Sequence, residues 1–362
     1  MIDECYEKAM DVIKSCSTNH GLYASGGTRG YDAVWARDSI ISLIGASLAG
    51  FKEVFKHSLI TLAKNQSKKG QIPNCVDKWS KRKPHVDYAS IDSSLWYIIG
   101  HYVYKKRYKD SSLFKRYKKR INKALIWLEY QDVGEDVTLE QLPTTDWQDA
   151  FPHVYGDTVN TQALYYKTLK FVGKDKEARK LKFVVNSHKG KRLWNGNFYV
   201  PYRWKNHGKY HEMGEWFDSL GNLLAVIFEL ADKQKAKKIL SYIEKKKINK
   251  PYPIEAIYPP IRRGGKYWQD YFKDCDAREA YHYLNGGIWP FIGGFYVLAL
   301  IKLKKFSKAS LELRKLAEAN IKGSFPEWID PKTKESFGKL QAWDAGAYIL
   351  AYKSFKKRRV LL

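Results

Sequence analysis

Twelve segments with helical periodicity run through the 362-residue chain, and the strict apolar–polar alternation typical of strands is scarce. The pattern therefore predicts an all-α protein. The twelve predicted helices cover residues 3–16, 38–50, 52–66, 91–106, 110–131, 159–173, 176–187, 217–232, 235–246, 286–303, 306–321 and 341–356.

The helical segments alternate between two types along the chain. One type is apolar on nearly all sides, as in SIISLIGASLAG (39–50) and IDSSLWYIIGHYV (91–103). The other is amphipathic and rich in lysine, as in KQKAKKILSYIEKKK (233–247). A helix that is hydrophobic all round is buried, whereas one with a polar face borders water. Six buried helices, each paired with an exposed one, predict a six-hairpin (α/α)6 barrel. We expect one domain over residues 1–362, with an inner ring inside an outer ring.

The connections between the predicted helices also fall into two classes. Each link from a buried helix to the next exposed helix is short, whereas each link back to a buried helix is long and rich in Trp, Tyr, Asp, Glu and Arg. We number the long links loops 1 to 6: 23–38, 73–92, 144–160, 194–218, 258–287 and 323–339. In a barrel of hairpins they all emerge at one end. Because long loops on a rigid scaffold carry function, the sequence predicts a polar, aromatic-lined pocket there.

The net charge of +26 is the one feature that points to nucleic acid. The lysines, however, occur in many separate runs on or beside helical segments, for instance at 105–120 and 244–250. Solvated helix faces explain such runs. We therefore expect no nucleic-acid partner.

Compartment and cofactors can be judged from what the sequence does and does not contain. Its four cysteines have no C-x-x-C spacing and no disulfide framework, which is typical of reduced thiols in a cytoplasmic protein. The N-terminus has no apolar leader and no segment is long enough to span a membrane, so we expect neither a signal peptide nor a membrane anchor. Without a His/Cys cluster or a phosphate-binding glycine loop, we expect no metal and no cofactor; the oligomeric state stays open.

A cleft lined by tryptophans, acids and amides suits a neutral carbohydrate, because aromatic faces cover the C–H faces of a sugar ring. Glycoside hydrolysis then needs two carboxyl groups, one protonated and one ionised. The candidate carboxyl residues are Asp32, Asp38, Asp92, Asp146, Asp149, Glu215, Asp218, Glu279, Glu327 and Asp344. In PTTDWQDAF (143–151), the local pattern alone does not choose between Asp146 and Asp149.

Six motifs, in order along nearly the whole chain, resemble a known clan. They are YDAVWARDSI (31–40), GQIPN (70–74) with the following YASIDSSLW (88–96), WQDA (147–150) with VNTQALYY (159–166), FDSLGNLLAV (217–226), NGGIWPFI (285–292) and FPEWIDPKTKESFGKLQAWDAGAYI (325–349). Together they are similar to the α/α-barrel exo-glycosidases that include the glucosidase domain of glycogen debranching enzymes and the neutral/alkaline invertases.

The resemblance implies an inverting, exo-acting α-glucosidase with Asp149 as general acid and Glu327 as general base. It also implies that the subsite for the terminal glucosyl unit is lined by Arg37, Asp38, Asp92, Trp147, Gln148, Asn285, Trp289, Gln341 and Trp343. The chain departs from the family pattern at Asn160, where the family has glutamate, and at an insertion after His282.

Other interpretations of these residues stay open. Aspartates near helix starts are common caps, and Trp289 and Trp343 have the spacing of core residues. The alternative functions are an invertase-like or trehalase-like disaccharide hydrolase, an inverting disaccharide phosphorylase, and a non-catalytic protein that binds sugar or nucleic acid.

Overall fold

The computed structural model describes residues 1–27, 31–79, 84–151, 153–187, 192–206 and 210–362. Within these residues it contains twelve α-helices, at the positions that the periodicity predicts. They are α1 (Ile2–Cys16), α2 (Ala36–Ala46), α3 (Lys52–Lys64), α4 (Asp92–Tyr108), α5 (Ser112–Glu129), α6 (Val159–Val172), α7 (Asp175–Ser187), α8 (Ser219–Ile227), α9 (Lys233–Lys246), α10 (Pro290–Lys302), α11 (Phe306–Lys322) and α12 (Ala342–Lys356).

The even-numbered helices line the middle of the molecule. α2 contacts α4, and the contacts continue through α6, α8 and α10 to α12, which packs back against α2. Of the odd-numbered helices, α3, α5, α7 and α11 each contact the preceding inner helix, and α1 packs on α12. The inner helices are buried on nearly all sides, as their apolar sequences require. The fold is an α/α-barrel with its core between the two layers of helices.

The closest approach between inner helices is that of α2 and α12. A Cβ atom added to Gly346 would lie 2.2 Å from the Cα atom of Ser42, and one added to Gly45 would lie 1.8 Å from the carbonyl oxygen of Gly346. Neither backbone leaves room for a side chain at this crossing. Glycine is therefore required at both positions for the packing of α2 against α12.

The loops form short strands that pattern reasoning missed, because strands of two to five residues are too short to show a period. They are β1 (Ser17–Thr18), β2 (Gly21–Leu22), β3 (Val34–Trp35), β4 (Cys75–Asp77), β5 (His85–Asp87), β6 (Glu140–Gln141), β7 (Gly156–Thr158), β8 (Tyr202–Asn206), β9 (Tyr210–Met213), β10 (Phe217–Asp218), β11 (Ile257–Tyr258), β12 (Trp328–Ile329) and β13 (Ser336–Phe337).

Antiparallel pairing of these strands joins the loops to one another. β3–β4–β5 joins loops 1 and 2, β6–β7–β8–β9 joins loops 3 and 4, and β10–β11 joins loops 4 and 5. Isolated bridges then link Ile288 with Ile329, and Ser25 with Gln341, which connects loop 6 back to loop 1. The loops thus support one another around the end of the barrel where the inner helices begin.

Several predicted helix boundaries were wrong. The helix predicted over 217–232 begins at Ser219, after the N-cap Asp218, and ends at Ile227. The helix predicted over 286–303 begins only at Pro290, because proline lacks the N–H that a helix interior needs and is suited to the first helical turn. No helix of the described residues is long and apolar enough to cross a membrane.

We predict that Gly346→Ala lowers the free energy of unfolding by about 3 kcal/mol, because the new methyl group collides with the backbone of α2. Gly100→Ala is the control: its Cβ would lie 3.0 Å from the flexible Cδ1 end of Ile40, and alanine is the better helix former. Urea denaturation of both variants checks this. Equal stability of the two variants would contradict the packing assigned to Gly346.

Candidate active site

Arg37 lies in the first turn of α2 and contacts both α4 and loop 3, at the end of the barrel that carries the long loops. Its Nε atom lies 3.4 Å from Oδ2 of Asp92, and its Nη2 atom lies 3.5 Å from Oδ2 of Asp149. Both terminal nitrogens also donate to the carbonyl oxygen of Asp146, at 3.2 and 3.3 Å. Burial opposes the charge of the guanidinium, but the surrounding carboxylates, Asp92 foremost, outweigh it and raise the pKa of Arg37. The guanidinium therefore stays charged and fixes loop 3 against α2 and α4.

Two further carboxyl groups surround Arg37 at the starts of inner helices. Asp38 follows it in α2, and burial raises the pKa of Asp38 to about 6 against the opposing charge of Arg37. Asp92 is the first residue of α4 and is fully buried; it accepts a hydrogen bond from the hydroxyl of Ser90. Burial also raises the pKa of Asp92, and Arg37 again opposes the shift. Both acids occupy first turns, where the helix dipole favours negative charge.

The two acids of PTTDWQDAF lie in different environments. The Asp146 side chain is buried: its Oδ1 accepts from the backbone N–H of Gln148 at 3.0 Å, and its Oδ2 accepts from Nδ2 of Asn160 at 3.4 Å. Burial raises its pKa to about 7. Asn160, where the sequence departs from the family pattern, therefore supports Asp146.

The Asp149 side chain is 46% exposed, unlike that of Asp146. Burial nevertheless raises its pKa to about 6, because protein atoms surround the carboxyl group on its other sides. The positive charge of Arg37 lowers this pKa, while the charges of Asp92 and Asp38 raise it. The Asp149 carboxyl group can therefore be reached by a ligand, and it holds a proton to higher pH than a free aspartate does.

Glu327 is held by two phenol groups. The hydroxyls of Tyr31 and Tyr283 both donate to its Oε1 atom, at 2.9 and 3.0 Å, and its backbone N–H donates to the carbonyl of Phe337 at 2.8 Å. Burial raises the pKa of Glu327, the two phenols lower it by stabilising the ionised form, and the charge of Asp149 raises it again. Glu327 and Asp149 therefore belong to one electrostatic cluster.

Sequence reasoning missed Tyr31 and Tyr283. Tyr31 stands in the motif YDAVWARDSI, and Tyr283 lies in the insertion after His282. The only available signal was a tyrosine in a loop near a candidate carboxylate, and with 26 tyrosines in the chain this signal selects too many residues.

The predicted tryptophans form a packed aromatic wall beside the carboxyl groups. The rings of Trp147 and Trp289 meet edge to face with centroids 6.1 Å apart, and Trp343 stacks on Phe291 at 4.2 Å. The indole N–H of Trp289 donates to the carbonyl of Tyr283 at 3.1 Å. All three tryptophans are at least 93% buried, so their ring faces are mostly covered by neighbouring rings. Their contact with a sugar stays a prediction.

The predicted amide residues differ in what their side chains bind. Asn285 is fully buried, and its amide both accepts from the N–H of Ile261 at 2.7 Å and donates to the carbonyl of Ile261 at 2.9 Å. It thereby closes loop 5 on itself. Gln341 is the N-cap of α12, and its Nε2 atom and the Cβ atom of Glu327 both lie close to Gly338. Gln148 is buried beside Trp147.

The remaining candidate acids lie outside this cluster or are deeply buried. Asp32 and Glu279 are exposed, and Glu215 pairs with Lys266 at 2.6 Å on the surface. Asp218 is the buried N-cap of α8 and accepts from the N–H of Gly221. Burial raises the pKa of Asp344, in the first turn of α12, well above its usual range. No group of three His, Cys, Asp or Glu in the described part of the chain could hold a metal ion.

Solved structures of glycosidases share this fold over nearly the whole chain. A GH63 mannosylglycerate hydrolase from Thermus thermophilus superposes with a TM-score of 0.72 at 12% identity, covering 95% of this chain and 98% of its own. A rhamnosidase from Klebsiella oxytoca gives a TM-score of 0.70 at 13% identity over 98% of this chain and 64% of its own. A glycosidase variant in complex with glucose gives 0.68 at 14% identity, covering 98% of this chain and 97% of its own. The fold is that of the α/α-barrel glycosidases.

Within that class, the family model for amylo-alpha-1,6-glucosidase matches residues 8–350. The chain belongs to this family.

Plant invertases match a shorter part of the chain. The neutral/alkaline invertase 1 of Oryza sativa subsp. japonica, described as mitochondrial, is 30% identical over 139 residues, which is 37% of this chain and 22% of the invertase. The chloroplastic alkaline/neutral invertase E of Arabidopsis thaliana is 29% identical over 142 residues, again 37% of this chain and 22% of the relative. The match thus spans about a fifth of each invertase.

We predict that stability falls as pH rises from 4 to 8, because buried acids with a raised folded-state pKa hold protons that the unfolded chain has released. Asp218, whose pKa burial raises to about 8, contributes to this slope. Asp218→Asn keeps an N-cap residue and reduces the slope by up to about 1.4 kcal/mol per pH unit.

The matched control is Asp232→Asn, at the N-cap of α9. Hydrogen bonds and the charge of Lys235 outweigh burial and lower the pKa of Asp232, so its contribution changes only below about pH 4. Urea denaturation at several pH values tests both variants. An unchanged slope in Asp218→Asn would contradict the protonated state assigned to that residue.

Proposed function

We propose that this protein is an inverting, exo-acting α-glucosidase that releases a terminal glucosyl unit from a small oligosaccharide or an α-glucan branch. Asp149 is the general acid and Glu327 the general base. The catalytic unit is a single six-hairpin (α/α)6 barrel over residues 1–362. The substrate is a small carbohydrate and the protein acts in the cytoplasm, where its four free cysteines are stable as thiols.

The observation that carries the proposal is the difference between the two carboxyl groups. Asp149 is half-exposed and its pKa is raised to about 6, so it is protonated over a wider pH range than a free aspartate and can supply a proton to the leaving oxygen. Burial raises the pKa of Glu327 as well, but two phenol hydroxyls donate to its carboxylate and limit that rise. Hydrolysis of a glycosidic bond uses one carboxyl group of each kind.

The proposed reaction follows from these two states. Asp149 donates its proton to the glycosidic oxygen as the bond to the anomeric carbon breaks. Glu327 accepts a proton from a water molecule that attacks the opposite face of the sugar, so the configuration inverts. Arg37 keeps Asp149 in position and limits the rise of its pKa, while Asp92 and Asp38 oppose that effect.

The subsite for the glucosyl unit is proposed from the remaining residues near the carboxyl groups. Asp38, Asp92, Gln148 and Gln341 supply groups that bond sugar hydroxyls, and the wall of Trp147, Trp289 and Trp343 supports them. Asn285 is proposed as a brace of loop 5, since Ile261 occupies its amide.

Family membership supports the choice of an α-glucosidase, because the matching family model is that of amylo-alpha-1,6-glucosidase. The complex of a structural neighbour with glucose supports a glucosyl subsite. The invertase matches favour a disaccharide as the main alternative substrate.

We predict that Asp149→Asn and Glu327→Gln each lower kcat on α-linked glucosides at least about 100-fold, since general acid–base catalysis contributes that much or more. Hydrolysis of maltose, isomaltose, sucrose and trehalose is measured for each variant. Glu335→Gln is the control, because Glu335 is exposed in the same loop as Glu327.

Asp146→Asn distinguishes the two acids of loop 3. We expect this variant to lower the free energy of unfolding more than it lowers kcat, because the buried Asp146 carboxylate accepts hydrogen bonds from Gln148 and Asn160. Loss of activity in Asp146→Asn together with an active Asp149→Asn would assign the general acid to Asp146.

We predict that Tyr283→Phe moves the acidic limb of the kcat/KM profile to higher pH by roughly 0.5–1 unit, the equivalent of one hydrogen bond. The variant removes a donor to Glu327, so the pKa of the base rises and ionisation needs a higher pH. Tyr281→Phe, two residues earlier in the same loop, leaves the limb unchanged. A shift in the Tyr281 variant alone would contradict the role of Glu327 as base.

A further inference from the structure

The end of the barrel opposite the candidate active site is strongly basic. We call this end the basal face and define it as the five short connections with their flanking turns, 49–56, 105–110, 170–176, 229–235 and 302–308, together with the segment 353–359 at the end of α12. These segments contain twenty lysines and arginines and five acids. They therefore carry +15 of the net charge of +26.

Contacts between the segments show that they form one surface. They are Lys52 Nζ to Asp110 Oδ2 at 3.3 Å, Lys302 Nζ to Glu229 Oε1 at 2.5 Å, and the guanidinium of Arg358 over the ring of Phe306 at 4.3 Å. Each contact joins the turn after one inner helix to the turn after another. The cations lie together in space although the sequence separates them.

The opposite end has no such excess of positive charge. Loops 1 to 6 contain seventeen lysines and arginines and eighteen aspartates and glutamates, a net charge of −1. The positive charge of this protein is therefore directional and concentrates away from the candidate active site. Uniformly solvated helix faces, the explanation that the sequence favoured, do not produce this separation.

Helix stability explains only part of the basal charge. Lys105, Lys106 and Arg107 end α4, where cations stabilise the negative end of the helix dipole. The outer helices begin at this face, however, and their positive N-terminal ends favour acids. α3 begins with Lys52 and α9 begins with Lys233. Both lysines are placed against the dipole; Lys52 is offset by its ion pair with Asp110, whereas the helix dipole gives no reason for Lys233.

Two cavities are lined by residues of the basal face. One, of about 480 Å³, is lined by Lys182, Lys233, Lys302 and Lys304 together with Glu229 and Asp232. The other, of about 320 Å³, is lined by Lys106, Arg107 and Arg359.

Lys167 connects the two cavities. Its ammonium lies over Phe171, 4.2 Å from the ring centroid, and Phe171 borders the smaller cavity. Burial lowers the pKa of Lys167, and the charges of Lys106 and Lys302, one from each cavity, lower it further. Lys167 thus lies within electrostatic reach of a cation from each cavity.

The surroundings of these cations indicate the chemistry of the partner. None of the large hydrophobic side chains exposed in the described residues lies in the basal face, so nothing there would insert into a bilayer. Lysine or arginine lies over three of its aromatic rings, those of Tyr108, Phe171 and Phe306, and none of the aromatic side chains in the described basal face is exposed. The described basal face therefore offers no exposed ring on which unpaired bases could stack. What remains is an array of cations suited to regularly spaced phosphates.

We propose that the basal face binds double-stranded nucleic acid through its phosphate backbone, without reading the base sequence. The inference does not depend on the hydrolase chemistry, since the face lies at the other end of the barrel. In the bound protein, the candidate active site would face away from the nucleic acid.

Binding of a fluorescein-labelled 30-base-pair duplex of random sequence, measured by anisotropy at several salt concentrations, tests the proposal. The basal variant combines Lys106→Gln, Lys233→Gln, Lys304→Gln and Lys357→Gln, all at exposed residues. We expect its log Kd against log salt slope to fall by roughly 0.9 for each lysine that contacts a phosphate, and its affinity to fall at least about tenfold.

The control variant removes the same charge from outer-helix positions away from the basal face, through Lys118→Gln, Lys119→Gln, Lys245→Gln and Lys246→Gln. It should keep most of the affinity and slope. Equal losses in both variants would show attraction by net charge alone and overturn the proposal. Failure of the unmodified protein to bind the duplex at 50 mM salt, or tighter binding to phosphatidylserine vesicles than to duplex, would overturn it as well.

Discussion

The buried guanidinium of Arg37 is the interaction on which the candidate site depends. Among the described residues it is the only lysine or arginine that is buried, and carboxyl groups of α2, α4 and loop 3 surround it. Without this positive charge the neighbouring carboxylates would repel one another, and removing one partner from a buried ion pair typically costs about 3–5 kcal/mol. The same cation moderates the pKa of Asp149, so a structural contact also adjusts the proposed proton donor.

The arrangement of inner and outer helices gives the two ends of the barrel opposite character. Inner helices begin at the loop end, where their positive dipole ends face Asp38, Asp92 and Asp344 in first turns. They end at the basal face, where lysines follow. The shared direction of the inner helices therefore favours acids at the proposed catalytic end of the barrel. It also favours some of the cations at the basal face.

Much of the fold could be predicted from the sequence because helix periodicity is a local signal. The alternation of apolar and amphipathic segments identified twelve helices and the inner layer, and the short turns identified which end carries the loops. The strands that join the loops could not be predicted, since two or three residues such as Val34–Trp35 carry no period.

The site was predictable only in part. The motifs pointed to Arg37, Asp149 and Glu327, which the structure brings into one electrostatic cluster. The phenol donors Tyr31 and Tyr283 reach Glu327 from positions 296 and 44 residues away, and such contacts depend on tertiary folding. The basal face could not be predicted for the same reason, because its lysines are separated in the sequence and come together only in the folded barrel.

A crystal structure of the Glu327→Gln variant with an unhydrolysed α-linked glucoside tests the central claim most directly. We predict that the glycosidic oxygen lies within hydrogen-bonding distance of the Asp149 carboxyl, with a water molecule between residue 327 and the anomeric carbon and the two carboxyl positions roughly 6.5–9.5 Å apart. A separation of about 5–5.5 Å would indicate retention. A glycosidic oxygen bound to Asp146, or a sugar bound elsewhere on the protein, would contradict the assignment of the active site.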